Sequence, residues 1–92
     1  MQVARLLIDV DNEAKFWDHG IVPEQVLSVL EHSFLVKRNR KRRRAAYLLI
    51  GRDEHGQCIA IPVESTHDPL AWRPVTAWYC KASEETQLAR AT

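Results

Sequence analysis

The amino-acid sequence predicts an α+β protein: one antiparallel β-sheet with two N-terminal helices packed on it and a short C-terminal helix, in the order β-α-α-β-β-β-β-α. Three observations lead there. The first third of the chain carries helix signals, with Asp11, Asn12, Gly20 and Pro23 bracketing apolar residues at helical spacing. The middle is a series of short β-prone runs, Phe34-Leu35-Val36, Ala46 to Ile50 and Gln57 to Val63, separated by turn-forming residues. With 92 residues, 46% of them hydrophobic, the chain can build one modest core and not two, so a single domain spanning 1–92 is expected.

Residues 3–10 read as a strand, because Val3, Leu6, Leu7, Ile8 and Val10 give a mixed alternation. Asp11 or Asn12 then caps a short helix running to His19, with Glu13 in the first turn and Gly20 as a left-handed stop. Pro23 opens a second helix whose apolar face is Val26, Leu27, Val29 and Leu30, ending near His32. Trp17 is expected in the core. Residues 51–56 have hairpin-loop composition and join Tyr47–Ile50 to Gln57–Val63. Pro62 has no N–H to give a ladder, so it belongs near a strand end, at an edge or in a bulge. Residues 65–74, with two prolines, read as a loop, and 75–80 as the last strand. Ser83 caps a terminal helix with Glu84 and Glu85 in its first turn, although Leu88 and Ala89 offer little apolar surface to anchor it.

No apolar stretch approaches the roughly 18–20 residues that span a bilayer, so no membrane partner is expected. The patch from Val3 to Val10 is interrupted by Arg5 and Asp9 and lacks a small-residue cleavage site, so no signal peptide is read and a cytoplasmic location is the default. Cys58 and Cys80 are the only thiols and stand at no metal-ligand spacing; no metal or other cofactor is expected. In a reducing compartment they read as buried free thiols, a disulfide being open to them only if their strands are neighbours.

Charge is segregated along the chain. Lys37-Arg38-Asn39-Arg40-Lys41-Arg42-Arg43-Arg44 holds seven of the thirteen Lys and Arg, which leaves six cations against twelve carboxylates elsewhere, a body of −6 beside a segment of +7. Three readings of the run stand side by side: a surface for nucleic-acid phosphates, a surface for a protein partner, and a solvated loop.

Three blocks carry a resemblance. They are Lys15-Phe16-Trp17-Asp18-His19-Gly20-Ile21-Val22-Pro23-Glu24-Gln25-Val26, then Tyr47-Leu48-Leu49-Ile50-Gly51-Arg52-Asp53-Glu54-His55-Gly56-Gln57, then Trp72-Arg73-Pro74-Val75-Thr76-Ala77-Trp78. In order and spacing this resembles the BrnT-like toxins, small bacterial proteins of the broad RelE-like group, over residues 12 to 80. The resemblance implies that fold and a metal-independent endoribonuclease, toxic alone and held inactive by a cognate antitoxin protein that often binds DNA. Two positions depart from the pattern: the closing strand has Trp78 where the family commonly has Arg, and the terminal helix has no Tyr.

Metal-free RNA cleavage needs a base near the 2′-hydroxyl, cations against the scissile phosphate and a proton for the leaving 5′-oxygen. Arg44, Arg52 and Arg73 fall at or beside strand ends, where planar guanidinium groups can hold a phosphate. His19 or His67 is the acid–base candidate. Lys15 and His19 are four apart and share a helix face, and the family's Lys and His-Gly block singles out His19. Lys37, Arg38, Arg40, Lys41, Arg42 and Arg43 are placed as RNA-guiding cations. Trp78, with Trp72 and Tyr79, is a candidate to stack on unpaired bases. Each has a plain alternative: helix capping for His19 and His32, turn or loop surface for His55 and His67, and core packing for the aromatics. The leading functional expectation is therefore a toxin ribonuclease with RNA and an antitoxin as partners. The rival is a non-catalytic domain of the same fold that binds nucleic acid or a protein. A third reading docks the acidic body on the basic run of a second copy to give a homodimer.

Overall fold

The computed structural model describes residues 1–39 and 44–91, so Arg40, Lys41, Arg42 and Arg43 of the basic run lie outside the described residues. The elements are β1 (Arg5–Leu6), α1 (Val10–Asp18), α2 (Pro23–Ser28) continued by a 3-10 turn (Val29–Glu31), β2 (Phe34–Arg38), β3 (Tyr47–Arg52), β4 (Cys58–Ser65), β5 (Ala71–Pro74), β6 (Trp78–Tyr79) and α3 (Ala82–Ala91). The fold is α+β, a six-stranded sheet in the order β1-β5-β4-β3-β2 with β6 pairing β4 off that path.

The sheet is mixed rather than antiparallel. β2, β3, β4 and β5 pair antiparallel in sequence, but β1 runs parallel to β5, with Arg5 opposite Ala71 and Leu6 opposite Trp72. The segment expected as a loop from 65 to 74 thus ends in a strand, because Glu64 and Ser65 of β4 find Arg73 and Trp72 as partners. The expected strands at 3–10 and 75–80 shrink to two residues each. At the first, Asp9 takes over as helix cap. At the second, Val75, Thr76 and Ala77 face only Ile61 and Pro62 between the pairs Val63–Pro74 and Ala60–Trp78. That extra residue is a bulge. Pro62 sits at it, its carbonyl accepting from the Val75 N–H at 2.8 Å, so the missing donor falls where the neighbouring strand is interrupted.

α1 is capped by Asp9, not by Asp11 or Asn12. The Asp9 carboxylate accepts from the Asn12 N–H at 2.9 Å and the Asn12 amide oxygen accepts from the Asp9 N–H at 2.8 Å, a reciprocal capping box. Fully buried Asn12 also donates to the Leu7 and Pro74 carbonyls, both at 2.9 Å, tying the helix to the C-terminal ends of the adjacent parallel strands β1 and β5. The helix closes as expected at Gly20, whose φ of 72° is left-handed. Gly20 N–H bonds the Trp17 carbonyl and Ile21 N–H the Phe16 carbonyl, both at 3.0 Å, and buried Ile21 and Phe16 share the core beneath.

Two apolar clusters lie on the two faces of the sheet. Leu49, Ile59, Ile61 and Val63 turn toward Phe16, Val26 and Val29 of the N-terminal helices. Leu48, Ile50, Cys58 and Ala60, at the alternate positions, turn toward α3, where Leu88 is only 2% exposed. Leu88 therefore anchors the terminal helix better than its solitary apolar character suggests. β3 is covered on both faces, which is why Leu48-Leu49-Ile50 reads as a continuous apolar run. Trp17 is a correction, standing 58% exposed instead of in the core.

The cysteines are a further correction. Cys58 and Cys80 form a disulfide across 22 residues, because β6 lies against the start of β4 and the Cys80 N–H reaches the Cys58 carbonyl at 2.9 Å.

Gly51 occupies β3 where the 3-10 turn and β2 press closest. A Cβ there would lie 2.7 Å from Val29 Cγ1 and 2.8 Å from Phe34 Cβ. Gly51→Ala is expected to destabilise the fold by about 1–3 kcal/mol through overpacking, read as a lower urea midpoint at unchanged slope.

Candidate nucleic-acid interface

α3 covers only part of its sheet face. Beyond it the surface opens into a cleft of about 640 Å³ whose floor includes Ala45, Leu48 and Pro62. Lys37, Arg38 and Arg44 line it from the ends of the β2–β3 connection, and Lys81, Glu84 and Gln87 from the start of α3. Trp78 of β6 stands in the wall. Among the described residues, four cations thus line the cleft with one carboxylate.

Several of these groups are held in place. Lys37 Nζ donates to Gln87 Oε1 at 2.8 Å. Arg44 Nε pairs with Glu64 Oε2 at 3.1 Å, yet its side chain stays 63% exposed and can turn to a ligand. Glu84 is buried; its Oε1 accepts from the Lys81 N–H at 2.8 Å and from Trp78 Nε1 at 3.1 Å. The indole N–H is therefore spent on Glu84, and what Trp78 has to offer a ligand is its ring face. A polyanion with unpaired bases meets both requirements of such a surface, cations for phosphates and an aromatic face for a base.

The other sequence-predicted residues fall elsewhere. Arg73 is in an ion-pair chain at the sheet edge, with Nε at 2.6 Å and Nη2 at 3.0 Å from the two Asp9 oxygens and Nη1 at 3.1 Å from Glu64. It touches the cleft only through Glu64, which it shares with Arg44. Arg52 sits four residues along β3 from Leu48, roughly 13 Å away; it pairs with Glu85 and with the Gly56 carbonyl, both at 3.0 Å, bracing the hairpin against α3. His19 is the C-cap of α1 and Lys15 lies in that helix's last turn; α1 packs through Phe16 on the opposite sheet face. His67 is exposed between β4 and β5, and the carboxylate of its neighbour Asp68 is engaged by the Leu70 N–H and by Arg5. Of the six catalytic candidates, Arg44 alone lines the cleft. Among the RNA-binding candidates, Lys37, Arg38 and Trp78 do.

Trp72 and Tyr79 are accounted for without a ligand. Trp72 packs edge-on against Tyr47, ring centres 5.4 Å apart. The Tyr79 hydroxyl accepts from Gln25 Nε2 at 3.0 Å, which also donates to buried Asp53 at 3.0 Å. Burial opposes ionisation of Asp53, but Gln25 and the backbone N–H groups of Gln57 and His55 outweigh it and hold the carboxyl below its ordinary range. This network pins α2 to the β3–β4 turn. Sequence reasoning missed Lys81, Glu84 and Gln87 at the cleft; their spacing of three, which puts them on one helix face, was the signal.

Hydrogen bonding from Arg73, then from the Asn12 N–H, lowers Asp9 to about 2 from 3.8. A carboxylate depressed on folding stabilises the native state above its unfolded value and loses that contribution as pH falls through the folded one. Asp9→Asn keeps a capping side chain, so the fall in thermal midpoint between about pH 4 and pH 2 is expected to be shallower in the variant than in the parent protein.

Among the described residues no helix is long and apolar enough to cross a membrane, and no three His, Cys, Asp or Glu side chains gather as a metal site. Comparisons with protein-family models, with curated proteins and with solved structures each find no match to this chain.

Proposed function

We propose that this chain is a BrnT-like, RelE-like toxin of a bacterial toxin–antitoxin pair, acting in the cytoplasm on single-stranded RNA laid in the cleft beside α3 and cutting it without a metal ion. One observation carries the reading: Lys37, Arg38, Arg44 and Lys81 line the same cleft as Trp78, and among the described residues the one carboxylate lining it, Glu84, is already engaged. Cations aimed at one place stabilise the extra charge a phosphodiester gains in its transition state, and a fixed indole holds the adjoining base so that the phosphate is presented to them. Arg73 then acts through Glu64, which it holds against Arg44.

A specific observation favours the second reading, a non-catalytic RNA-binding domain of the same fold. None of His19, His32, His55 and His67 lines the cleft, and among the described residues the carboxylate that does, Glu84, is occupied. Inducing the gene alone in a bacterium separates the two. Growth arrest with cleaved transcripts is expected of the toxin. Healthy cells with intact RNA, from a protein that still binds an oligoribonucleotide in vitro, point to the second reading.

Binding itself has a quantitative signature. About four phosphate contacts to a single strand give a slope of log affinity on log salt near −3, roughly a sixtyfold loss between 50 and 200 mM. A complex insensitive to salt would remove the cleft from consideration as a phosphate site.

A further inference from the structure

α1 carries apolar side chains on its outward side as well as its buried one. Asn12 and Phe16 turn inward, while Val10, Ala14 and Trp17 lie within about 60° of one another and about 150° away from that buried pair at 3.6 residues per turn. Val10 is 84% and Trp17 58% exposed, and Ala14 is exposed between them. A solvated helix face has no use for a Val and a Trp in register; a stripe of this kind marks a contact surface. Acidic residues rim it on both sides, Glu13 on one and Asp11 and Asp18 on the other, with Lys15 the one cation of the helix.

We infer that the outward face of α1 docks a cationic amphipathic segment of another polypeptide, Val10 and Trp17 entering its apolar seam and its Lys or Arg side chains meeting the rim. Charge decides among occupants. Nucleic acid and anionic lipid carry the sign of the rim and are repelled. Two copies packed α1 to α1 about a two-fold axis bring acidic flank against acidic flank. The basic run of a second copy supplies charge, but from Lys37 to Arg44 it contains no apolar residue to cover Val10 and Trp17. A basic helix with an apolar seam satisfies both requirements, and Trp is among the side chains enriched as anchors of such contacts. Because α1 lies on the sheet face opposite the cleft, this surface is separate from the proposed RNA site, and the inference stands whether or not RNA is bound there.

The test uses the full chain and a labelled synthetic Leu/Lys peptide with all Leu on one helical face. Controls are the same composition with the Leu scattered, a Leu/Glu peptide, and phosphatidylglycerol vesicles. Anisotropy is expected to show micromolar binding of the amphipathic Leu/Lys peptide, at least about tenfold weaker binding of the scattered one, and none of the Leu/Glu peptide. Val10→Asp with Trp17→Ala should weaken the peptide complex at least about tenfold at unchanged thermal midpoint, since both side chains face solvent. Lys37→Gln with Arg44→Gln should leave it unchanged, which separates this surface from the cleft. Equal binding of the scattered peptide, or binding retained in the α1 variant, overturns the inference. So does self-association by sedimentation, or vesicle binding, that the α1 variant abolishes.

Discussion

Lys37→Gln combined with Arg44→Gln is expected to lower affinity for a short single-stranded oligoribonucleotide about a hundredfold at fixed salt. Each change removes one charge-assisted contact worth about 1.5 kcal/mol, and two such losses correspond to two orders of magnitude. The salt slope should become shallower by about 1.4 as two phosphate contacts disappear. Stability should barely move: the Arg44 side of its pair with Glu64 is 63% exposed, so the pair is worth at most about 1 kcal/mol, Glu64 keeps Arg73 as a partner, and Lys37 gives up one bond to Gln87. Titrating parent and variant with a fluorescent oligoribonucleotide checks both numbers. Unchanged affinity with unchanged slope would show that RNA does not lie in this cleft. Arg52→Gln is the matched control, since that guanidinium braces the hairpin and α3 at the far end of β3 and should leave the slope intact.

Opening the Cys58–Cys80 disulfide should have the larger effect on stability. Closing a loop of 22 residues restricts the unfolded chain by about 3 kcal/mol in the entropic treatment, and for a domain this small that is roughly 15 °C in thermal midpoint. Thermal unfolding with and without a dithiol reductant, and of Cys58→Ser with Cys80→Ser, measures it. The folded arrangement should survive at lower temperature, because the Cys80 N–H still bonds the Cys58 carbonyl and β6 still pairs with Ile59 and Ala60. RNA affinity well below the lowered midpoint is then expected to persist. This pair of outcomes, stability lost and binding kept, matters for a protein proposed to act in a cytoplasm rich in thiols. A midpoint that ignores reduction would mean that the strand pairing alone closes this part of the chain.

Much of the fold was readable because its signals are local. Gly20 stops α1, Pro23 opens α2, and the turn at 51–56 joins two β-prone runs; each depends on neighbours within a few residues. Where local signals competed, the sequence left a choice that distant contacts made. Asp11 and Asn12 both offer themselves as caps, yet Asp9, placed by its pattern in the preceding strand, prevails because Arg73 clasps its carboxylate while the Asn12 amide is drawn inward to carbonyls of Leu7 and Pro74. Ala71 to Pro74 looks like loop and becomes strand because β4 on one side and β1 on the other present free ladders to it. Trp17 looks like core and faces solvent because Phe16 and Asn12 already fill the inward side of a two-turn helix.

The site divides the same way. Composition and order along the chain were enough to establish that positive charge is gathered in one stretch, that the rest of the chain is net acidic, and that two helices precede a run of strands closed by a last helix. Which side chains meet across space was settled by packing: α3 settling on Leu88 brings Lys81 and Gln87 to Lys37, a strand crossing sets Cys80 beside Cys58, and the helix carrying His19 ends up on the other side of the sheet. Backbone preference and charge belong to single residues and their neighbours and can be read in one dimension. Proximity depends on strand register and on which face each helix buries, quantities fixed only when the whole core closes at once.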